Sequence, residues 1–175
     1  MSLQMRYYGD PILRQHAKPI DHVTEEIVLL ARDMIEVMQK QNGIGLAAPQ
    51  VGVALRIFVT TVYPDQEDGE STYGEPRVFI NPVISHPSAD LVEMSEGCLS
   101  IPGVSEFVWR PESIEFEAMD LEGNIIKERI SGFWARVCMH EIDHLNGVLY
   151  VDRIKGKVRN KLEPILRRIK KEHYE

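Results

Sequence analysis

The sequence predicts an α+β fold in which antiparallel strands and small sheets pack around one central helix, with further helices in the N- and C-terminal parts of the chain. Three observations support this fold class. Two segments repeat apolar residues at helical spacing, a third is apolar on nearly every helical face, and the stretches between them alternate like strands. A length of 175 residues suits one substantial core, so we expect residues 1–175 to form a single domain.

The first helix is expected to begin after Thr24, a favourable N-cap residue followed by two glutamates that suit the positive end of the helix dipole. Apolar residues then recur at helical spacing until Asn42-Gly43, which would end the helix. The stretch from Gly43 to Gly52 is small, apolar and rich in glycine. We expect it to be a loop whose backbone can approach another group closely.

The middle of the chain alternates apolar and polar residues and predicts a series of strands, at residues 55–60, 77–84, 104–109, 113–119 and 125–130. Glu122-Gly123-Asn124 separates the last two strands and predicts that they form a hairpin. Residues 63–76 are acidic and contain two prolines and two glycines, so we expect an exposed loop there.

The central helix is expected to begin after Ser131 and to end at Gly147. It is apolar on nearly all faces, which is typical of a helix buried inside a domain. A last helix is expected over residues 157–171, where Pro164 should cause a kink or a restart because proline lacks a backbone N–H.

The charge of the chain is unevenly distributed. The formal net charge is −7 at pH 7, yet residues 153–175 carry nine Lys/Arg and only three Glu. The predicted C-terminal helix is therefore basic, while the rest of the chain is acidic. An acidic molecule of this kind is not expected to read nucleic acid directly.

Nothing in the sequence predicts export or insertion into a membrane. The N-terminal residues lack a basic start followed by an apolar run, and no stretch approaches the ~18–20 apolar residues of a membrane-spanning helix. The two cysteines, Cys98 and Cys138, do not suggest a disulfide framework. We therefore expect a cytoplasmic protein whose thiols stay reduced.

The pentapeptide His140-Glu141-Ile142-Asp143-His144 is the most informative motif in the chain. Residues four positions apart lie above one another on an α-helix, so both imidazoles can reach one metal ion. Glu141 lies beside them, where it can handle the protons of a water that the metal activates. The motif predicts a catalytic metal site but does not supply the third ligand.

Candidates for the third ligand lie on both sides of this motif. In many zinc proteases a downstream His or Glu completes the site, but Tyr150 occupies the expected His position and Asp152 lies too close to the end of the helix. Upstream, Cys98 offers a soft thiolate in a segment that contains glycine. Cys138 precedes His140 by two residues, which turns it about 200° away, so a packing role is expected for it.

The chain resembles the peptide deformylase family in three separated motifs, whose order and spacing match those of the family. They are Gly43-Ile44-Gly45-Leu46-Ala47-Ala48-Pro49-Gln50, Glu96-Gly97-Cys98-Leu99-Ser100 and the pentapeptide above. The resemblance covers nearly the whole chain, and the basic terminal helix is similar to that of the type-1 bacterial branch. It implies an enzyme that removes the formyl group from N-formylmethionyl nascent polypeptides, with one Fe²⁺ ion that Zn²⁺, Ni²⁺ or Co²⁺ can replace.

The same resemblance implies roles for the residues of the motifs. Cys98 would join His140 and His144 as a metal ligand, and Glu141 would act as the base. The side-chain amide of Gln50 and the backbone N–H of Leu99 would stabilise the negative charge that develops on the formyl oxygen.

Substrate-binding residues are expected around this centre. Gly45 leaves room for the small formyl group, while Ile44, Phe133 and Val137 are candidates for an apolar methionine pocket. The backbone at Gly43–Gly45 and Leu99–Gly103 could pair with the substrate as an added strand.

Three further substrate-binding candidates are less specific. Glu96 and Gly97 belong to the cysteine motif, and Arg110 lies where relatives carry an arginine. For Glu96, two alternatives to substrate binding stay open, a surface charge or support of a metal ligand. For Arg110, the alternative to substrate binding is a structural salt bridge. Ser105 stands where some relatives carry an arginine that contacts substrate.

Two other functions are compatible with the pentapeptide motif. A zinc metalloprotease would cleave unformylated internal peptide bonds, but its downstream ligand is missing. A structural metal site would need a fourth protein ligand, which no motif supplies. The basic terminal helix allows a further partner, the ribosome, although such a helix is usually only a solvated surface.

Overall fold

The computed structural model describes residues 2–64 and 71–175 and confirms the predicted α+β class. In chain order its helices are α1 (Glu25–Lys40), α2 (Gly132–Leu145) and α3 (Gly156–Tyr174). Its strands are β1 (Gly45–Ala47), β2 (Ile57–Pro64), β3 (Ser71–Ser85), β4 (Leu91–Cys98), β5 (Ile101–Pro111), β6 (Ser113–Met119) and β7 (Ile125–Ser131). Short 3-10 turns occur at Pro11–Arg14, Ala48–Val51 and Tyr150–Arg153.

The strands form two antiparallel sheets. The larger sheet has five strands in the order β1-β2-β3-β6-β7, and the smaller one pairs β4 with β5. The predicted hairpin is confirmed, because β6 pairs with β7 from Ser113 opposite Ser131 to Met119 opposite Ile125. The backbone N–H of Asp120 donates to the carbonyl of Asn124 at 3.0 Å and closes its turn.

Two predicted loops are partly strand. Gly45–Ala47 pairs with β2 as an edge strand, because the backbone of this small, apolar segment finds partners there. Residues 71–76, expected as loop, belong to β3, where residues 71–73 pair with β2 and residues 74–76 lie at a register shift between the two strands. Residues 65–70 of that predicted loop lie outside the described residues.

Helix α1 begins where its capping residue predicts. The hydroxyl oxygen of Thr24 accepts a hydrogen bond from the backbone N–H of Ile27 at 3.4 Å. The helix ends at Lys40, and Asn42 then adopts a positive φ of 56°. Its apolar face packs with β1 and β2 in one core cluster, to which it contributes Ile27, Ala31, Met34 and Met38.

Helix α2 is central, as predicted, and every residue from Trp134 to Leu145 is buried. An aromatic cluster packs it against the large sheet, with ring centroids 5.3–6.4 Å apart among Phe58, Phe79, Phe116 and Trp134. Burial on all sides fixes the helix firmly, so the side chains of its motif have defined positions.

Helix α3 continues through Pro164 without interruption, so the predicted restart is wrong. Leu162, Leu166 and Ile169 are buried in a third core cluster, and their burial offsets the loss of one backbone hydrogen bond. At its end, the Tyr174 hydroxyl accepts from the Tyr7 N–H at 2.8 Å and donates to the Tyr7 carbonyl at 3.1 Å. Among the described residues, no helix is long and apolar enough to cross a membrane.

The end of α2 generates a prediction about stability. Gly147 follows the helix with φ +74°, and a Cβ there would lie 2.6 Å from the carbonyl oxygen of Arg14. Gly123 also has a positive φ, of +85°, but its Cβ would meet nothing within 4 Å. Both Gly→Ala changes incur the left-handed cost of roughly 1–2 kcal/mol, but only Gly147→Ala also displaces backbone.

We expect urea denaturation to show that Gly147→Ala lowers the free energy of unfolding by about 1–3 kcal/mol more than Gly123→Ala does. Equal losses in the two variants would contradict the close approach between Gly147 and the N-terminal segment.

Candidate metal centre

The structure brings Cys98, His140 and His144 together. Cys98 ends β4, while the two histidines lie one turn apart on α2. Their potential ligand atoms all lie within 4.8 Å of one another, and the Cys98 Sγ is 3.3 Å from the His144 Nε2. No other group of three His, Cys, Asp or Glu residues with this property occurs in residues 2–64 and 71–175.

The chemistry of these donors fits a divalent transition metal. A thiolate and two imidazoles are the donors that such ions prefer, and three protein ligands leave a position open for chemistry. Burial lowers the pKa of His144 well below its usual value, so this ring is neutral, as a metal ligand must be. Its buried Nδ1 has no hydrogen-bond partner in the described parts of the chain.

The two rejected candidates for the third ligand have other roles. Tyr150 is buried, its ring stacks on that of His140 with centroids 5.9 Å apart, and its hydroxyl donates to the Val104 carbonyl at 3.3 Å. Cys138 is fully buried among apolar side chains, and burial raises the pKa of its thiol. A thiol of this kind packs in the core and does not bind metal.

Glu96 orients one of the ligands. Its Oε1 lies 2.8 Å from the Nδ1 of His140, so the proton of that ring belongs on Nδ1 and Nε2 is left for the metal. Burial by itself raises the pKa of Glu96, but the hydrogen bonds from Arg110 and His140 outweigh it and hold this pKa below its usual range. Glu96 is therefore a buried, ionised partner of His140, and not simple surface charge.

The predicted substrate contact of Arg110 is corrected by the structure. Arg110 does not line the cavity at the metal centre, and its side chain is only 2% exposed. Its Nε and Nη2 donate to Glu96 at 2.6 and 2.9 Å, and its Nη1 donates to Asp143 at 2.9 Å. With these donors in use inside the protein, Arg110 supports the site from behind.

Glu141 is placed to accept a proton. Its Oε1 lies 4.0 Å from the Nε2 of His140, and its buried Oε2 has no hydrogen-bond partner among the described residues. Burial raises the pKa of Glu141 to about 7, which suits a group that takes up and returns a proton near neutral pH.

Gln50 has a fixed orientation. The backbone N–H of Ala47 donates to the Gln50 Oε1 at 2.9 Å, so the amide nitrogen points the other way. This nitrogen donates to the Ser100 hydroxyl at 3.1 Å and lies 3.4 Å from the Cys98 Sγ. An N–H donor is thus held beside the metal ligands. Leu99, between Cys98 and Ser100, lines the same cavity.

The metal centre opens into a cavity of about 610 Å³, a size that suits a ligand larger than a single amino acid. Apart from Arg110, the predicted substrate-binding residues all line it: Gly43, Ile44, Gly45, Glu96, Gly97, Phe133 and Val137.

Sequence reasoning missed several residues of the site. Arg136 lines the cavity and donates to Glu96 at 2.6 Å; its position four residues before His140 on an otherwise apolar helix was an available signal. Tyr7 and His173 also line the cavity, with rings stacked 3.8 Å apart. No sequence pattern marked these two, because only the tertiary fold brings them together.

The fold and this site define a class of protein. A Cys-His-His donor set with a half-buried cysteine and two buried histidines, with an unpartnered carboxyl oxygen and an oriented amide beside it, is the arrangement of a metal-dependent hydrolase.

Comparisons with known proteins place the chain within this class. The family model for polypeptide deformylase matches residues 2–160. The peptide deformylase of Dictyoglomus thermophilum is 48% identical over 87% of this chain and 93% of its own length, and that of Pseudothermotoga lettingae is 41% identical over 99% and 98%. The crystal structure of the Ehrlichia chaffeensis enzyme superposes with a TM-score of 0.86 at 35% identity, covering 98% of this chain and 97% of that one.

The chain belongs to the polypeptide deformylase family, whose reaction is the hydrolytic removal of the formyl group from nascent peptides. The function expected from the three motifs is thereby confirmed. No comparison favours the alternative of a zinc metalloprotease, and the missing downstream ligand already argued against it.

The close approach between β1 and α2 generates a prediction about activity. A Cβ on Gly45 would lie 2.9 Å from the Oε1 of Glu141, although the backbone of Gly45 does not require glycine. We expect Gly45→Ala to fold and to bind metal, but to lower kcat about 100-fold because it displaces the Glu141 carboxylate. Steady-state kinetics and metal analysis check this, and a kcat like that of the unaltered protein would show that the carboxylate can shift without loss.

Proposed function

We propose that Cys98, His140 and His144 hold one Fe²⁺ ion, and that this centre removes the formyl group from N-terminal N-formylmethionine in the cytoplasm. Zn²⁺, Ni²⁺ or Co²⁺ can replace iron on the same donors. The observation that carries the proposal is the buried, unpartnered Oε2 of Glu141, whose other oxygen lies 4.0 Å from the Nε2 of His140 in the donor set. The whole of residues 1–175 acts as one catalytic domain, in which the smaller sheet supplies Cys98 and α2 supplies the other ligands.

A divalent ion at this site would supply Lewis acidity and lower the pKa of a water from about 15.7 to near 7. Glu141 accepts the proton of the attacking water, because its pKa of about 7 lets it hold or release a proton at neutral pH. Glu141 then returns that proton to the methionine nitrogen as the bond to the formyl carbon breaks. Formic acid and a free α-amine result, and transfer of the acid proton to the amine gives formate and an α-ammonium group, so atoms and charge balance.

Gln50 and Leu99 stabilise the charge on the formyl oxygen. The amide nitrogen of Gln50 is held toward Cys98 by the hydrogen bond between its own oxygen and Ala47, and the backbone N–H of Leu99 is the second donor. Because the Gln50 amide is oriented before the substrate arrives, little reorganisation of this donor is needed during the reaction.

The cavity walls select the substrate. Gly45 leaves room only for a small group next to Glu141, which suits a formyl group. Ile44, Phe133 and Val137 provide apolar lining for the methionine side chain. Strand β1 lies at the edge of its sheet, so the segment Gly43–Gly45 has one side available for pairing with an extended peptide, opposite Leu99–Gly103.

The basic helix α3 provides a second contact, with the ribosome that delivers the nascent chain. The support is its charge, since residues 153–175 carry nine Lys/Arg and three Glu, and most of their side chains are exposed. We expect the protein to sediment with ribosomes at low salt and to be released as the salt concentration rises. Binding that does not depend on salt would contradict a role for these charges.

The central test is release of formate from formyl-Met-Ala-Ser by iron-loaded protein prepared without oxygen. We expect Glu141→Ala to lower kcat by about 10²–10⁴-fold, because the proton acceptor is lost, while the metal content stays unchanged. Glu36→Ala, which removes an exposed glutamate on α1, serves as the control and should retain full activity. Unchanged turnover in Glu141→Ala would disprove the assigned role of this residue.

The same assay separates the proposed reaction from proteolysis. Unformylated Met-Ala-Ser should remain intact with the unaltered protein. Cleavage of its peptide bonds, with the formylated peptide left untouched, would support the metalloprotease instead.

A further inference from the structure

A series of ion pairs, buried except at Arg153, runs behind the metal centre, from His140 to a different side of α2. We call its four members, Glu96, Arg110, Asp143 and Arg153, the ion-pair chain. At one end, Glu96 and His140 line the cavity of the metal centre. At the other end, Asp143 and Arg153 line a second cavity of about 570 Å³, and none of the described residues lines both cavities.

Every link in the ion-pair chain is a short, charge-assisted hydrogen bond. Arg153 donates through its Nε and Nη2 to the two oxygens of Asp143, each at 2.7 Å. Arg110 donates to Asp143 at 2.9 Å and, with a second side of its guanidinium, to both oxygens of Glu96 at 2.6 and 2.9 Å. Glu96 then contacts the Nδ1 of His140 at 2.8 Å. Planar bidentate pairs of this kind fix orientation as well as position.

Asp143 occupies a position that is costly for a carboxylate. It lies in the last turn of α2, at the negative end of the helix dipole, and its side chain is 10% exposed. The two arginines, one from β5 and one from the 3-10 turn after α2, compensate this charge. Without the charge of Arg153, the Asp143 side chain would keep only its hydrogen bond to Arg110 among the described residues. Arg110 would then be held less firmly.

The position of Glu96 depends on Arg110 in turn. Arg110 and Arg136 both donate to the Oε2 of Glu96, each at 2.6 Å, but only Arg110 also contacts the Oε1 that faces His140. A shift of Arg110 therefore moves the oxygen that fixes the imidazole ring. Carboxylates that hold a metal-binding histidine in this way commonly contribute 10- to 100-fold to metal affinity.

We propose that Asp143 and Arg153 are positioning residues for the metal centre: they fix Arg110, which fixes Glu96, which fixes the ring of His140. This inference rests on the proposed function, because it takes His140 to be a metal ligand. Neither residue touches the substrate or the reacting atoms. Their influence reaches the site only through the ion-pair chain.

The chain offers a matched control in the pair formed by Arg14 and Asp152. Arg14 is 44% exposed and Arg153 is 43% exposed, and each arginine donates through two nitrogens to one carboxylate. Asp152 has no contact with Glu96 or Arg110 in the described parts of the chain. Arg14→Gln and Arg153→Gln therefore lose comparable ion pairs, but only the second loss is connected to His140.

The experiment measures Co²⁺ affinity by competition with a chelator, and the visible absorption spectrum of the Co²⁺-loaded protein. We expect Arg153→Gln to weaken Co²⁺ binding about tenfold and to change the Co²⁺ absorption bands, which report ligand geometry. Arg14→Gln should leave both unchanged. Arg153→Lys, which keeps the charge but not the fork, should recover only part of the affinity.

Three outcomes would overturn the inference: affinity and spectrum in Arg153→Gln like those of the unaltered protein, an equal loss in Arg14→Gln, or no recovery in Arg153→Lys. If Arg153→Gln does not fold, Arg153→Lys compared with Arg14→Lys decides the question, and we expect about a threefold loss of affinity in the former alone. A failure of the proposed function can be distinguished from a failure of this inference. Co²⁺ binding that survives Cys98→Ala would refute the proposed ligand set, whatever the result for Arg153→Gln.

Discussion

The structure depends on the Glu96 carboxylate, an ionised group held in the interior by three cationic or hydrogen-bonding side chains. Burying a carboxylate costs several kcal/mol unless its oxygens are fully used. Here Arg110, Arg136 and His140 use them, and the Arg136 guanidinium also donates to the backbone carbonyls of Val92 and Val108. These bonds join the smaller sheet to α2. The same group therefore holds together the two elements that carry Cys98 and the two histidines, so the integrity of the fold and the geometry of the candidate site depend on the same contacts.

The central position of α2 explains why the motif side chains have defined positions and why the pKa of Glu141 is raised. Aromatic packing fixes one face of the helix against the large sheet, and the polar motif faces the smaller one. In this surrounding Glu141 is shielded from water, and its pKa rises toward neutrality for that reason. A surface helix with the same five-residue motif would not provide this. The protein thus obtains its chemistry from burial as much as from the identity of the residues.

The sequence allowed prediction where the determining contacts are local. The cap at Thr24, the β6–β7 turn and the spacing of His140 and His144 all act within a few residues, and the structure has them as expected. The choice of Cys98 as third ligand followed from chemistry and resemblance.

Pairing partners far along the chain were not visible in this way. Residues 71–76 were predicted to be loop because their Gly and Pro content is unfavourable for strands, yet residues 71–73 pair with the neighbouring strand. Arg110 was predicted to contact the substrate. Its ion pairs were not visible in the sequence, because the two acidic partners lie 14 positions before it and 33 positions after it.

The contact between Tyr7 and the end of α3 has a consequence for how the protein is made. The residues that form it are 167 positions apart, and α3 follows every other described element. The wall of the cavity formed by Tyr7 and His173 cannot form until α3 has been synthesised and has docked against the N-terminal segment. The complete cavity therefore depends on the joining of the first and the last described parts of the chain.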